Sequence, residues 1–319
     1  SQIRMGYFLF RRTSGFILTL LSVSLVVFLV MNILPGDPTL SILGIESTED
    51  ARAVLRARLG LDAPLAERYV TWVFHALQGD FGDSYTHGVP VISLIVERLP
   101  MTLSLALSGM ALTVLLALVL GITAASYHKR PGDWGVMLLS QLGIAVPAFW
   151  LSMLLVLLFA VKLRWLPPGG FPGWDDPRAA VRALILPTVA LAVVQSAVLA
   201  RVTRSSALEV MRLDFVRTAR ASGFSRRRIL WGHVLPNALI PIITIVGLQF
   251  AGLVTGTIVI ENVFYLPGLG RLLFQSISNR DFLTVQALVM MFAAIVVTAN
   301  FLVDIAYVLI DPRLKARSR

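Results

Sequence analysis

Residues 201–236 read RVTRSSALEVMRLDFVRTARASGFSRRRILWGHVLP, a basic stretch lying between two long apolar segments. It holds eight arginines against two acids, Glu209 and Asp214, and so carries +6 of the chain's net +10. It is too long for a hairpin, and its residues predict helices. Asp214 is positioned to cap a helix over Phe215–Ser222, Gly223 to end it, and Ser225 to cap a second helix running to a break at Pro236. An arginine-rich helix–Gly–helix element is suited to docking on another body, and the flanking sequence says where that body lies.

Apolar residues make up 56% of the 319 positions and charged residues 14%, against about 25% charged in soluble domains. A bilayer-spanning helix needs roughly 20 mostly apolar residues. Six stretches qualify: Thr13–Leu34, Thr102–Ser126, Val136–Val161, Ala183–Val202, Leu239–Val259 and Thr284–Ile310. The expected fold is an all-α polytopic membrane protein with six transmembrane helices and an outer helical cap between the first and second. Its parts are an N-terminal span at 1–35, the cap at 36–99 and a five-helix core at 100–319. The first apolar stretch exceeds a signal-peptide core and no small-x-small site follows it, so it reads as a retained span, with Arg11-Arg12 as its anchoring flank.

With six spans both termini fall on one side. That side collects 17 basic residues against four acids (Asp133, Glu209, Asp214, Asp311), while the other has 11 basic and 13 acidic residues. The positive-inside rule then places both termini and the 201–236 loop in the cytoplasm. A pI near 10.8 is accounted for by this topology, so membrane lipid is the expected partner and nucleic acid is not. The absence of cysteine excludes disulfides, a thiol nucleophile and Cys-bound metal.

Along the outer side, Pro35-Gly36-Asp37-Pro38 forms a turn. Ser47 with Asp50 starts a helix ending near Gly60. Asp62 and Pro64 start another, with Leu65, Tyr69, Trp72, Val73 and Ala76 on one face. Val91–Leu99 reads as an amphipathic surface helix before Pro100 opens the second span. Between later spans, Trp165–Trp174 is a Pro/Gly linker, and Leu266–Gly270 is a break leading to a short helix, Arg271–Ser278, at the membrane edge.

Little points to chemistry on the chain itself. No Gly-Lys-Ser/Thr phosphate loop occurs, and no pair among His75, His87, His128 and His233 has zinc-helix spacing. No catalytic residue, metal site or cofactor is therefore expected. Asp304 is the one carboxylate within the spans; about 10 Å from Asp311 along the helix, it reads as a structural pair near the inner edge. Gln195, Ser196, Gln249, Thr255, Thr257 and Asn300 are polar positions in spans four to six. They suit interhelical hydrogen bonds and, as a set, the path of a solute.

The segment Val216-Arg217-Thr218-Ala219-Arg220-Ala221-Ser222-Gly223, followed by Leu235-Pro236, resembles the signature of bacterial ABC importer permeases. That signature is Glu-Ala-Ala, three residues, Gly, then Ile-x-Leu-Pro after nine more. Arg217 stands in place of the glutamate and Thr218 of the first alanine, a form similar to the dipeptide/oligopeptide/nickel branch. Glu97-Arg98-Leu99-Pro100, Val146-Pro147-Ala148-Phe149-Trp150, Glu261-Asn262-Val263-Phe264, Pro267-Gly268-Leu269-Gly270-Arg271, Asn279-Arg280-Asp281 and Asp311-Pro312-Arg313 extend the resemblance along nearly the whole chain.

The resemblance implies a translocation subunit of the bacterial inner membrane, paired with a second related permease chain. It implies two ATP-binding cassette ATPase subunits, which carry the ATP and Mg, and an extracytoplasmic solute-binding protein. Within the coupling loop 203–236, the coupling helix would begin at Asp214, with Phe215 and Val216 filling a cleft on the ATPase and Gly223 making the turn. Glu261, Arg271, Arg280 and Asp281 would meet the binding protein or form an outer gate. The implied cargo is a short peptide, with nickel, glutathione and sugar- or opine-like solutes as alternatives. An ion-coupled secondary transporter leaves the docking loop unexplained, and an intramembrane enzyme lacks a catalytic pair.

Overall fold

The apolar stretches all become helix, and most outrun the spans drawn from sequence. The structure is a computed structural model that describes residues 2–33, 38–44 and 46–310. The helices are α1 (Gln2–Ile33), α2 (Pro38–Leu43), α3 (Glu49–Arg58), α4 (Leu65–Leu77), α5 (Val91–Ser126), α6 (Pro131–Ala145), α7 (Ala148–Leu155), α8 (Pro177–Val210), α9 (Asp214–Ala221), α10 (Arg226–Ile229), α11 (Leu235–Val263), α12 (Leu269–Ser278) and α13 (Phe282–Ile310). Among the described residues no strand forms beyond a single bridge between Asp83 and Pro90. The expected turn at residues 35–37 and the Asp311-Pro312-Arg313 segment lie outside the described residues.

Among the described residues five helices are long and apolar enough to cross a bilayer, and a bent pair makes a sixth span if its two halves cross as one. The bend corrects the expectation of a continuous third span at Val136–Val161. The axes of α6 and of the helix from Ala148 to Lys162 differ by 105°. The cause is local: Pro147 has no N–H to donate, and Val146 before it is forced to extended backbone (φ −87°, ψ 121°).

Pro100 does not open the second span. α5 starts nine residues earlier and runs through it. Val91, Leu94 and Ile95 are buried rather than lying along a surface, and tertiary packing holds the helix across the missing hydrogen bond. In the cap, Thr48 rather than Ser47 caps α3, its hydroxyl accepting from Ala51 N–H at 3.3 Å. α4 begins one residue after Pro64 with no side-chain cap.

The chain forms two compact units. The larger is built on Thr102–Leu266 and the segment from Ala299, the smaller on Met5–Met101 and Pro267–Thr298. In the larger unit α8 is central, packed on α6, α7 and α11. Asp176 caps it, accepting from Arg178 N–H and Ala179 N–H at 3.1 Å each. The Pro/Gly linker before it is tied down, with Arg182 donating to the Trp165 carbonyl at 2.7 Å and Gly170 N–H to the Phe264 carbonyl at 2.8 Å. In the smaller unit α1 meets the cap through Ser24 and Tyr69, whose hydroxyls lie 2.7 Å apart, and through Phe28 against the Tyr69 and Trp72 rings.

Close approach of α5 and α8 requires a glycine. A Cβ on Gly121 would lie 2.5 Å from Thr203 Cβ and 2.8 Å from the Ala200 carbonyl oxygen. Gly121→Ala is expected to destabilise the protein by about 1–3 kcal/mol, as overpacking does. Thermal unfolding in detergent would show it, and Thr203→Gly in the same chain should restore part of the loss; an unchanged midpoint for the single variant would refute the contact.

Candidate functional site

The basic stretch is almost entirely helical. Its first ten residues extend α8 to Val210, a short turn follows, and α9 starts at Asp214. Leu213 holds the extended N-cap position, so Asp214 does not cap as expected. It is the first helical residue instead, its carboxylate exposed, 3.4 Å from Arg217 Nη1 and placed to complement the helix dipole. Gly223 does end the helix, in the left-handed region at φ +79°, with its own N–H donating to Arg220 and Phe224 N–H to Ala219. Ser225 caps α10 through Arg228 N–H at 3.4 Å.

Pro236 does not break the chain. A π-helical turn over Leu230–Val234 joins α10 to α11, giving one helix from Arg226 to Val263. The wider turn absorbs the hydrogen bond that Pro236 cannot donate. The Asn237 side chain adds a bond to the His233 carbonyl at 2.8 Å.

The two faces of α9 differ. Val216 and Ala219 are buried among Ala117, Ile122, Ala200, Val210, Leu230 and Val234, so this face is sealed by the ends of α5, α8 and α11. Val216 therefore cannot fill a partner's cleft, which corrects that expectation. Phe215, Arg217, Thr218, Arg220, Ala221 and Ser222 remain exposed, Phe215 at 40%. Leu235 is half-buried and Pro236 exposed at the start of α11.

Sequence reading missed the fastener beside this element. The Asp133 side chain is 5% exposed, and both its oxygens accept from Arg204: Nε to Oδ1, and Nη2 to Oδ2 at 2.7 Å. Lys129 N–H donates to Oδ2 at 3.0 Å, and His128 Nδ1 lies 3.2 Å from it. An acid in the first turn of a helix that follows a basic turn was the available signal.

The expected path residues are divided. Gln249 Nε2 donates to the Gln195 carbonyl at 3.2 Å, joining α11 to α8. Ser196 and Thr257 are buried and bond to carbonyls of their own helices, as Thr255 does, while Asn300 is exposed. Of the outer candidates, Glu261 and Asp281 are fully buried and so are not surface contacts. Glu261 accepts from Thr102 Oγ1 at 2.6 Å. Asp281 caps α13 through Thr284 N–H at 3.3 Å and accepts from Ser84 Oγ and Thr86 N–H, pinning the 84–86 loop. Burial, helped by the Asp281 charge, pushes the Tyr85 phenol up to about 12. Arg271 is half-buried and Arg280 exposed.

Residues 117–316 match the family described as binding-protein-dependent transport system inner membrane component, and residues 5–106 match its N-terminal component. A putative peptide transport system permease protein of Brucella abortus (strain 2308) is 41% identical over 312 residues, covering 98% of this chain and 99% of its own. A glutathione transport system permease protein of Salmonella typhi is 41% identical over 308 residues, covering 97% and 98%. Among solved structures, a chain of the inward-facing MetNI methionine ABC transporter aligns with a TM-score of 0.54 at 18% identity, over 69% of this chain and 97% of its own. That likeness establishes the shared fold.

Adjacent residues of α9 should behave oppositely. Val216→Ala removes two buried methyl groups and is expected to destabilise by roughly 1.6 kcal/mol. Phe215→Ala on the open face should change stability by no more than about 0.5 kcal/mol. Denaturation of both variants tests the assignment, and equal losses would overturn it.

Proposed function

The chain belongs to the family of binding-protein-dependent transport system inner membrane components, and we propose that it passes short peptides across the membrane. It is a multi-pass permease subunit of the inner membrane. The observation that carries the coupling part of the proposal is the two-faced α9. One face is sealed into the ends of three spans, and the other offers Phe215, Arg217 and Arg220 to a partner.

In this reading α9 is the coupling helix. Phe215 enters an apolar cleft on an ATPase subunit, and the arginines pair with acids on its rim. Two such ATPases hold ATP and Mg; this chain holds neither. The excess of arginine and lysine on one side supports a cytoplasmic position for both termini and α9. A second, related permease completes the path, to which Gln195, Ser196, Gln249, Thr255, Thr257 and Asn300 contribute. Closure of the ATPases moves α9, and through its sealed face the spans rock between two packings. The exposed parts of the cap and Arg280 meet the binding protein on the other side.

Relatives named for peptide and for glutathione transport both match over almost their full length. Glutathione is itself a tripeptide, so one cargo class covers both names.

The test is uptake by the reconstituted complex with its binding protein. Gly223→Val forces a branched residue to a positive φ and tilts α9, at a cost of about 1–2 kcal/mol. ATP hydrolysis is expected to persist while uptake of a labelled tripeptide falls at least tenfold. Uptake at the unmodified rate would remove the coupling assignment, and uptake of nickel or a sugar in place of the tripeptide would remove the cargo.

A further inference from the structure

The smaller unit contains a cavity of about 510 Å³, within the roughly 300–1,000 Å³ of small-ligand sites. Its wall is mixed. Phe28, Trp72 and Phe282 supply aromatic surface from three different helices, and charged and amide groups stand among them.

Two of those polar groups are left over. Arg68 is half-buried, with its guanidinium carbon 6.0 Å from the centroid of the Phe28 ring, and no carboxylate pairs with it among the described residues. Of the acids on the wall, Glu67 is exposed to solvent, and neither it nor Asp80 forms an ion pair with Arg68. His75 and Asp80 are already joined at 2.9 Å, and that bond, with one from Gly82 N–H, holds the Asp80 carboxyl below its ordinary range. Gln286 is 8% exposed, and its amide nitrogen has no acceptor. Buried donors in folded proteins are nearly always paired, so one left open beside a cavity calls for a ligand. The soft terminal torsion of glutamine lets that N–H turn toward one.

We propose that this cavity is a binding site for the peptide itself, a station in the permease separate from the binding protein. Arg68, oriented by the Phe28 ring, takes the C-terminal carboxylate through a two-pronged charged hydrogen bond. The aromatic walls take a side chain, Gln286 donates to a peptide carbonyl, and exposed Glu67 at the rim faces the ammonium end. A lipid chain would leave Arg68 and Gln286 unanswered, and a bare inorganic anion would leave the aromatic surface unused. The inference rests on the peptide reading above.

The experiment uses the full chain with its partner subunits in nanodiscs, without the binding protein. Saturation binding of tritiated Ala-Phe-Ala is compared with that of the same peptide as its C-terminal amide. On the unmodified protein the amide is expected to bind at least about tenfold more weakly, as loss of a charged hydrogen bond requires. Arg68→Gln should weaken the acid form by a similar factor and no longer distinguish acid from amide. Absence of saturable binding, or equal affinity for acid and amide, overturns the site, and the amide comparison needs no variant to fold. Uptake from loaded binding protein, measured on the same complex, separates the two readings. Peptide uptake without binding at the cavity refutes the site alone, whereas failure of peptide uptake refutes the cargo.

Discussion

The burial of Val216 and Ala219 against the ends of α5, α8 and α11 is the contact on which the rest depends. A helix of eight residues has no stability of its own in water, because nucleation consumes what its few hydrogen bonds return. α9 exists because the spans give it an apolar seat, and in the proposed coupling role the same seat would carry a push on α9 to the spans. A push on a helix held by a flexible loop would be lost in the loop. Here the turn before it is three residues and the turn after it ends at a glycine already in the left-handed region. Under the coupling proposal, close packing would turn such a displacement into discrete rearrangements of the spans rather than gradual deformation.

A second fastener works beside the apolar seat. Asp133 is buried, and a buried carboxylate is tolerated only where its oxygens are satisfied. Arg204, Lys129 N–H and His128 supply that, and they come from α8 and from the turn between α5 and α6. Gly121 lets α5 and α8 approach where a side chain would collide with Thr203. Three unlike interactions thus hold the same helix ends in register: a sealed apolar face, a two-pronged ion pair and a missing side chain.

Much of this architecture was legible in the sequence because its signals are local. Twenty apolar residues mean a span, Gly223 ends a helix, and Ser225 begins one. Proline was the recurring exception. Pro147 does break its span, turning it by 105°. Pro100 and Pro236 do not break theirs, one because buried neighbours hold the helix and the other because a π-helical turn absorbs the missing donor. The residue is the same in each case and the outcome is set by tertiary context. Burial was equally hidden. Glu261 and Asp281 look like surface acids in a loop-rich stretch, yet both are fully enclosed with a hydroxyl donor from a distant segment. Partners 159 and 197 residues away leave no mark on the local sequence.

Five of the eight arginines of residues 201–236 divide along the same lines. Arg204 is committed to Asp133, Arg226 lies 5.2 Å from the Tyr127 ring centroid, and Arg228 lies 4.6 Å from that of Phe224. These three fasten the element to its own chain. Arg217 reaches only an exposed aspartate at 3.4 Å, a pair worth little in water, and Arg220 stands exposed on the same open side of α9. Net charge counts all eight alike, and so does a topology rule. In the proposed docking Arg204 takes no part, since a guanidinium already held by a buried carboxylate cannot be offered to a partner without leaving that carboxylate unpaired. The open face of α9 is therefore narrower and more specific than the composition of the stretch suggests: one aromatic ring, two available cations and a small polar edge ending at Gly223.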